Sequence, residues 1–501
     1  MRRFYLFAIV ILFAAIGLLD GRSFGQDSSQ PGNQSEFLTS GTGQSFSTEN
    51  PSGLFYSGQT PVKPTKPLLM GLHTNHLSSW PVLADFDVWR SLDSGFPDDW
   101  AFMQTGPNTF DFSHIDAELT HAAHAGVKTI FTPLGTPAFI ARHLGFKPKN
   151  DGRRSCVCDS TIGPLGCYPP LDLNGDGSGT DKTWKDFITA LATHVHANHV
   201  ANPAGYADID YWEPGNEYVV NPQQWCGSYA QLARMMQDTK DLVKRINHSS
   251  TMLTTSMAWY NLYENVDYLN TKANVPKAQT PAQMADIIDY HCYQYGNVNP
   301  ERVVAVVHRL RVSTDSVPAA KGKTIFCSEG GWIKIPPATW TRSQNWLSRY
   351  LIAVSSTGVL DFNLFQYDAY LGNTSEVPGS LADLWVPNTS FFCTTPAQRG
   401  FYCPAHISWE AVYNWLGNIT YNGPCSYRPV TGGKVWTCNH TSTGTYIKGQ
   451  FVWYDMLDQS RNYTVPPGFT KEQDINGNVT DITPGQPIMI SNSPLLLMSF
   501  D

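Results

Sequence analysis

Between residues 65 and 417, eight short apolar runs rich in β-branched and aromatic residues alternate with longer amphipathic stretches. Such runs are typical of buried parallel strands, and apolar residues spaced by 3.6 positions indicate helices that cover those strands. Eight strands that alternate with helices predict an α/β fold, the (β/α)8 barrel. The predicted strands are Leu68–His73, Asp87–Arg90, Thr129–Thr132, Asp208–Glu213, Met252–Ser256, Ile287–Tyr293, Thr324–Glu329 and Phe362–Tyr367. The predicted helices include Asp116–Ala125, Thr183–Ala197, Tyr229–Ile246, Gln344–Ser355 and a last barrel helix at 408–416.

The segments on either side of the predicted barrel differ from it in composition. Residues 1–25 combine Arg2 and Arg3 near the start, an apolar stretch and small residues, which predicts a signal peptide and therefore a secreted, extracellular or periplasmic protein. The apolar stretch is too short to favour a stable membrane insertion. Residues 26–64 are rich in Ser, Thr, Gly and Pro, which predicts a disordered linker. Residues 418–501 carry short alternating runs between turns, which predicts an accessory antiparallel β-sandwich domain.

The overall composition restricts the class of ligand. Charged residues make up 15% of the chain and aromatic residues 13%, and the net charge is −8. Low charge and many aromatic rings suit a protein that binds neutral, hydroxyl-rich carbohydrates, although many of these rings must fill the core. The negative net charge argues against nucleic acid and against anionic membrane surfaces as partners. No feature of the sequence indicates an oligomeric state.

Ten cysteines in a chain with a predicted signal peptide indicate disulfides. Short separations predict local bridges for Cys393 with Cys403 and for Cys425 with Cys438, and two more bridges could form among Cys156, Cys158, Cys167 and Cys226. Cys292 and Cys327 lie inside predicted strands, so they are predicted to remain buried thiols. The spacing of Cys156, Cys158 and Cys167 fits no common zinc site, so no metal is predicted there.

The segment that begins at Asp172 and continues through Asp176 copies the start of a calcium-binding loop. Its twelfth position is Thr183, where an EF-hand requires glutamate, and no helix clearly precedes it. These departures favour a solvated turn, and the calcium alternative stays open at this point.

Two of the predicted strands lead directly to a glutamate. The run Asp208–Glu213 continues to Glu217, and the run Thr324–Glu329 ends on Glu329 itself before two glycines. The carboxyl ends of barrel strands meet at one rim, where the functional residues of such barrels lie. Two carboxylates at one rim could serve as a proton donor and a nucleophile for the cleavage of a glycosidic bond.

The segment Trp212–Glu217 resembles the Trp-Glu-x-x-Asn-Glu signature of the retaining glycosidases of clan A. The order of segments over about residues 66–500 is most similar to glycoside hydrolase family 39 and its relatives. The resemblance implies that Glu217 is the acid/base, that Glu329 is the nucleophile, and that no metal or organic cofactor is needed. The chain departs from the pattern where Tyr218 replaces a proline and where Pro214 and Gly215 replace bulkier residues. The insertion at 156–180 has no counterpart in the family pattern.

The same resemblance implies roles for the residues around the two glutamates. Arg90 is expected near the nucleophile, Asn216 is expected to bond the sugar 2-hydroxyl, and His291 and Tyr293 match a His-x-Tyr pair whose tyrosine hydrogen-bonds the nucleophile. Each could instead be an ordinary core residue. Glu213 is expected to be structural. Candidates for stacking on sugar rings are Trp259, Trp332, Trp100 and Trp385.

These residues together predict a retaining glycoside hydrolase that cleaves a plant or microbial polysaccharide or oligosaccharide by double displacement. Two alternatives are a non-catalytic carbohydrate-binding protein on the same barrel and a transglycosylase. The choice between exo and endo cleavage, and the sugar and its linkage, depend on loop shapes that the sequence does not reveal.

Overall fold

The computed structural model describes residues 68–72, 80, 85–92, 99–141, 158, 166–219, 221, 224–295, 298–333, 340–365 and 404–500, without the side chains of 295, 332–333, 340–343 and 404. The predicted signal peptide and linker lie outside the described residues. So do Trp385, Cys156, Cys393 and Cys403.

The first part of the described chain alternates strands and helices. The strands are β1 (Leu69–Leu72), β2 (Val88–Ser91), β3 (Gln104–Gly106), β4 (Thr109–Phe110), β5 (Lys128–Phe131), β6 (Tyr211–Trp212), β7 (Thr251–Met252), β8 (Met257–Ala258), β9 (Ile288–His291), β10 (Gln294–Tyr295), β11 (Ile325–Gly330), β12 (Trp332–Ile333) and β13 (Asp361–Leu364). The helices are α1 (Trp100–Met103), α2 (Ser113–Ala125), α3 (Lys182–Ala201), α4 (Tyr229–Ile246), α5 (Leu262–Asn270), α6 (Pro281–Met284), α7 (Arg302–Asp315), α8 (Trp340–Ser355) and α9 (Pro404–Leu416). Each of the eight predicted barrel strands is present, mostly with narrower bounds.

Nine of these strands form one parallel sheet, in the order β7, β6, β5, β2, β1, β13, β11, β9 and β8. The two ends of this order, β7 and β8, belong to one segment, 251–258. That segment pairs with β6 through β7 and with β9 through β8, and Leu253 bridges to Ile287 between them. The sheet therefore curls back on itself, and this arrangement fits the predicted (β/α)8 barrel.

The inside of the ring is built from alternate residues of its strands, because side chains point to opposite faces with a period of two. An apolar layer comes first along the strands and is formed by Val88, Ile130, Tyr211, Leu253, Ile287 and Phe326. Two residues further along, the same strands and their extensions carry the buried polar residues Arg90, Thr132, Glu213, Asp289 and Ser328. The outward residues join the main core beneath the helices. The ring is thus apolar toward one end and polar toward the carboxyl ends of its strands.

Local signals set the helix ends. Helix α4 matches its predicted bounds and is capped at its N-terminus by Ser228. The Ser228 side chain accepts the N–H of Gln231, while the Gln231 side chain accepts the N–H of Ser228. This reciprocal capping satisfies two N–H groups at the N-terminus of α4, where the loop after β6 ends. No helix in the described part of the chain is long and apolar enough to cross a membrane.

The chain after α9 forms antiparallel sheets, as predicted. Its strands are β14 (Ile419–Tyr421), β15 (Ser426–Val430), β16 (Gly433–Ser442), β17 (Lys448–Tyr454), β18 (Arg461–Thr464), β19 (Lys471–Gln473), β20 (Val479–Asp481), β21 (Pro487–Ile490) and β22 (Leu495–Ser499). Seven of them form one sheet, and β18 pairs with β21 in a second one. Apolar side chains from both sheets share a cluster: Val435, Val452, Tyr454, Ile490 and Leu497. The Trp453 indole donates to Glu301 at 2.6 Å and so connects these sheets to α7 of the barrel.

One cysteine prediction is wrong. Cys292 and Cys327 are not thiols but form a disulfide, with their Cα atoms 5.6 Å apart. Strands β9 and β11 are neighbours in the ring, and both cysteines belong to the outward set of residues that packs under the helices. The predicted Cys425–Cys438 bridge is present, and Cys158 pairs with Cys167. Cys226 is also disulfide-bonded.

The calcium-like loop is bonded by protein groups. The Asp172 carboxylate accepts the backbone N–H groups of Lys182 and Thr183 at the start of α3. The Arg234 guanidinium donates to the backbone carbonyls of Gly177 and Gly179. The Asp172 carboxylate thus bonds to backbone amides, and the carbonyls of Gly177 and Gly179 bond to a guanidinium.

Candidate active site

The candidate nucleophile Glu329 reaches the rim of the barrel because of an irregularity in β11. Strict alternation would turn Glu329 outward, since Phe326 and Ser328 point inward. Between Phe326 and Glu329 the register with β9 shifts, so that β11 has one residue more than its partner strand, and Glu329 pairs with His291. Such a bulge re-aims the side chain that follows it. Glu329 is 8% exposed and faces the polar end of the ring.

The candidate acid/base Glu217 lies in the turn that follows β6. Its backbone adopts a φ of 50°, in the left-handed region that residues with a side chain rarely occupy. The N–H of Glu217 donates to the Ser256 hydroxyl at 3.0 Å. Its side chain is about one fifth exposed, so it is more accessible than that of Glu329.

Arg90 connects the polar groups below the rim. Its side chain is fully buried and donates from Nη1 to Glu329 Oε2 at 2.7 Å, from Nη2 to Asn216 Oδ1 at 2.7 Å, and from Nε to Glu213 Oε2 at 3.0 Å. Burial alone lowers the pKa of this guanidinium, but the negative charges of Glu213 and Glu329 outweigh burial and raise the pKa. Arg90 is therefore a permanent cation between these two carboxylates.

His291 lies between the two candidate catalytic glutamates. Its Nδ1 is 2.7 Å from Glu217 Oε1, and its Nε2 is 3.6 Å from Glu329 Oε2. Burial lowers the pKa of the imidazole, but the charge of Glu329 and the hydrogen bond and charge of Glu217 outweigh burial and raise the pKa to about 9. The ring is thus a cation at neutral pH, and the two carboxylates lie on either side of it.

Tyr293 and Asn216 complete the group of residues that the resemblance singled out. The Tyr293 hydroxyl donates a very short hydrogen bond to Glu329 Oε1, so both oxygens of Glu329 are bonded. Asn216 accepts from Arg90 and donates from Nδ2 to Gln224 Oε1 at 3.2 Å. The structure therefore brings six of the predicted residues into one connected network: Glu217, Glu329, Arg90, Asn216, His291 and Tyr293.

The tryptophans predicted to stack on sugar rings lie in different surroundings. Trp100 is 1% exposed and packs on Trp184 and Phe187, so it is a core residue and not a surface for sugar. Trp259 is half-buried, and its ring lies 5.5 Å from the guanidinium carbon of Arg302. The backbone of Trp332 belongs to β12, and its side chain lies outside the described part of the structure.

Sequence reasoning missed two exposed tyrosines after β8, one of which, Tyr260, lies near Glu217. Tyr260 is 51% exposed and Tyr263 is 59% exposed, and both follow β8, whose Ala258 pairs with His291. Partial burial of the Tyr260 hydroxyl, together with the charge of Glu217, raises the pKa of Tyr260 to about 12. The available signal was an aromatic residue directly after a barrel strand, and tyrosines meet it as well as tryptophans do.

Among the residues that the structure describes, no group of three or more histidine, cysteine or acidic side chains is arranged to hold a metal ion. In the network around Arg90, the oxygens of Glu213, Glu329 and Asn216 bond the guanidinium.

Comparisons with known proteins find a likeness in structure alone. No family model matches the sequence, and no curated protein matches it. A family 39 glycoside hydrolase from the gut symbiont Bacteroides cellulosilyticus WH2 superposes with a TM-score of 0.58 at 13% identity, over 88% of this chain and 82% of that chain. A family 39 β-xylosidase from Caulobacter crescentus gives a TM-score of 0.55 at 12% identity, over 88% and 98% of the two chains. A family 30 endoxylanase from Clostridium papyrosolvens C71 gives 0.52 at 12% identity, over 88% and 98%.

These superpositions establish a shared fold. At identities this low they do not establish a shared activity, which must be argued from the residues of the site. The structural resemblance expected from the Trp212–Glu217 motif is confirmed, since family 39 and other clan A glycoside hydrolases are among the structural neighbours. The chain thus has the fold of the clan A glycoside hydrolases.

Proposed function

We propose that this protein is a secreted retaining glycoside hydrolase. The observation that carries the proposal is the placement of Glu217 and Glu329 on either side of His291, with Glu329 bonded by both Arg90 and Tyr293. A retaining mechanism needs one ionised carboxylate that attacks and one carboxyl group that supplies a proton. The two glutamates differ in their surroundings in the way this division of roles requires.

Glu329 acts as the nucleophile in this proposal. Its oxygens are bonded by a permanent cation and by a phenol, and both interactions favour the carboxylate over the acid. One oxygen attacks the anomeric carbon and the bond to the leaving oxygen breaks, which forms a glycosyl ester on Glu329. Because the ester carries no negative charge, the ion pair between Glu329 and Arg90 is weakened in this intermediate. Glu213 and Asn216 keep Arg90 in place during this step.

Glu217 protonates the leaving oxygen and then removes a proton from the water that hydrolyses the ester. Its hydrogen bond with His291 gives the pair a proton at neutral pH, because the imidazole keeps its proton up to about pH 9. The proton that Glu217 takes from this water restores its acid form for the next cycle. Asn216 is held by Arg90 and Gln224 and lies next to Glu217 in the chain. In this proposal it bonds the sugar 2-hydroxyl.

The test is a product-resolved screen of xylan, arabinan, galactan, glucans and aryl glycosides with the wild-type protein and Glu329→Ala. We expect cleavage by wild type and a loss of at least a thousandfold in the variant, with an unchanged melting temperature. Glu264→Ala is the matched control, since Glu264 is a carboxylate of α5 that bonds Asn261. Substantial turnover by purified Glu329→Ala would contradict the assignment.

Three outcomes of the screen distinguish a retaining hydrolase, a transglycosylase and a carbohydrate-binding protein. Products with a retained anomeric configuration, followed by NMR, support double displacement. Transfer products in place of free sugar identify a transglycosylase. Sugar binding without any cleavage, in both wild type and variant, identifies a carbohydrate-binding protein.

We further propose that the protein is exported and divided as its composition suggests, with a signal peptide at 1–25, a linker at 26–64, a catalytic barrel at 65–417 and an accessory β-sandwich at 418–501. The disulfides of the barrel and of the later sheets support an oxidising compartment. The intact mass of the exported protein tests the cleavage site. A mass that includes residues 1–25 would refute it.

A further inference from the structure

The turn that carries Glu217 contains two residues that depart from the family pattern, Gly215 and Tyr218, and the structure shows that they occupy one space. Gly215 has a φ of 120°, a conformation that favours glycine. A Cβ atom built on Gly215 would lie 2.3 Å from Cδ2 of the Tyr218 ring. The tyrosine ring therefore fills the position where any other residue at 215 would place its side chain. The two departures depend on each other.

Tyr218 is anchored on its other sides as well. It is 4% exposed, and its ring stacks on Trp225 with centroids 5.1 Å apart and planes 17° apart. Its hydroxyl oxygen accepts the backbone N–H of Gly135 at 3.1 Å. Gly135 lies in the loop after β5, so Tyr218 connects that loop to the loop after β6. Burial raises the pKa of the Tyr218 hydroxyl, which therefore stays protonated while it accepts this bond.

Glu217 lies between two residues that are held in this way. Asn216 is bonded by Arg90 on one side, and Tyr218 is packed over Gly215 on the other. The left-handed backbone of Glu217 is unfavourable for a residue with a side chain and persists only when its surroundings enforce it. The structure supplies that enforcement from both neighbours and from the hydrogen bond of the Glu217 N–H to Ser256.

We propose that Tyr218, seated over Gly215, is a positioning residue that holds Glu217 against His291 in the geometry needed for proton transfer. The proposal rests on the proposed function, because it gives the acid/base its orientation. A displacement of about 1 Å in a catalytic group can reduce the rate about a hundredfold. Loss of the Tyr218 ring should therefore act on the proton-transfer role of Glu217 and leave Glu329 with its partners.

The kinetic test compares leaving groups, since a good leaving group departs without a proton and a poor one needs the acid. Wild type, Glu217→Ala, Tyr218→Ala and Tyr218→Phe are assayed with 2,4-dinitrophenyl and unsubstituted phenyl β-glycosides of xylose, glucose and galactose. We expect Tyr218→Ala to lose about a hundredfold in kcat/KM on the phenyl glycoside and less than about fivefold on the dinitrophenyl glycoside. Tyr218→Phe keeps the ring and should stay within about tenfold of wild type on both.

Two further variants complete the design. Gly215→Ala should reproduce the selective loss of Tyr218→Ala, because its methyl group displaces the same ring. Tyr290→Phe is the control for a buried tyrosine elsewhere in the barrel, since Tyr290 bonds Thr314 under the helices. It should lower stability without any dependence on the leaving group.

The outcomes separate this proposal from the proposed function. If wild type cleaves none of these glycosides and no substrate of the screen, the proposed function is wrong. If wild type cleaves and Glu217→Ala shows no leaving-group dependence, the acid/base assignment is wrong. If Glu217→Ala shows the dependence and Tyr218→Ala loses activity equally on both substrates, Tyr218 has only a structural role. A crystal structure of Tyr218→Ala decides independently of activity: the proposal expects the 2.7 Å contact of His291 Nδ1 with Glu217 Oε1 to be lost, and an unchanged contact would overturn it.

Discussion

The charge of His291 should make the stability of this protein depend on pH in a way that one substitution removes. The pKa of His291 is raised to about 9 by Glu329 and Glu217 against the opposing effect of burial, and the residue is 1% exposed. A histidine in the unfolded chain titrates near 6.5, so the difference corresponds to about 3 kcal/mol at 1.36 kcal/mol per pH unit. Because the folded pKa is the higher one, this stabilisation is complete below about pH 6.5 and disappears as the pH rises through about 9.

The assay is urea unfolding of wild type and His291→Gln at pH 6, 8 and 10. We expect the difference in unfolding free energy between the two proteins to shrink by about 3 kcal/mol from pH 6 to pH 10. The control is His440→Gln, because burial lowers the pKa of His440 to about 4 and leaves it neutral over this range. Its effect should be the same at every pH. Parallel pH profiles for wild type and His291→Gln would refute the reasoning.

Three more predictions concern the same site. Arg90→Met removes the cation beside the fully buried carboxylate of Glu213 and should destabilise the fold by about 3–5 kcal/mol in urea unfolding. Lys182→Met breaks an exposed ion pair and should change stability by less than about 1 kcal/mol; equal effects would refute the role of burial. Tyr293→Phe removes a donor to Glu329 and should lower kcat about 10–100-fold in steady-state kinetics, so an unchanged kcat would show that this bond does not support the nucleophile. Tyr260→Ala removes a half-exposed ring at the rim and should weaken oligosaccharide binding about fivefold by calorimetry, while Tyr260→Phe should bind like wild type and equal binding by all three proteins would exclude a stacking role.

Much of the barrel could be predicted because its strands are short, apolar and buried on both faces. Each such run, for example Ile287–Tyr293, can be predicted from its own residues, without knowing which strands lie beside it. The alternation within a run also placed His291 and Tyr293 on one face. Strand bounds were less predictable, since β6 contains only Tyr211 and Trp212 as paired residues.

The cysteines show where local patterns stop. Cys292 and Cys327 each look like a buried strand residue, and nothing within either run states which strand lies beside it. Only the order of strands in the ring makes β9 and β11 neighbours and places both sulfur atoms on the same outward face. For the same reason the sequence did not predict that Tyr260 lies near Glu217, since that position depends on the pairing of β8 with β9.

The sequence by itself determined the alternation of strands and helices, the two carboxylates that end up at the carboxyl rim, and the residue types around them, because these follow from short-range periodicity and from one recognisable motif. The tertiary structure decided how those residues meet. The bulge in β11 turns Glu329 into the site, closure of the ring brings Arg90 from β2 to residues after β6 and on β11, and the ring of Tyr218 fits only over Gly215. Each of these depends on contacts between residues far apart in the chain or on a backbone conformation that packing enforces, and a linear pattern encodes neither.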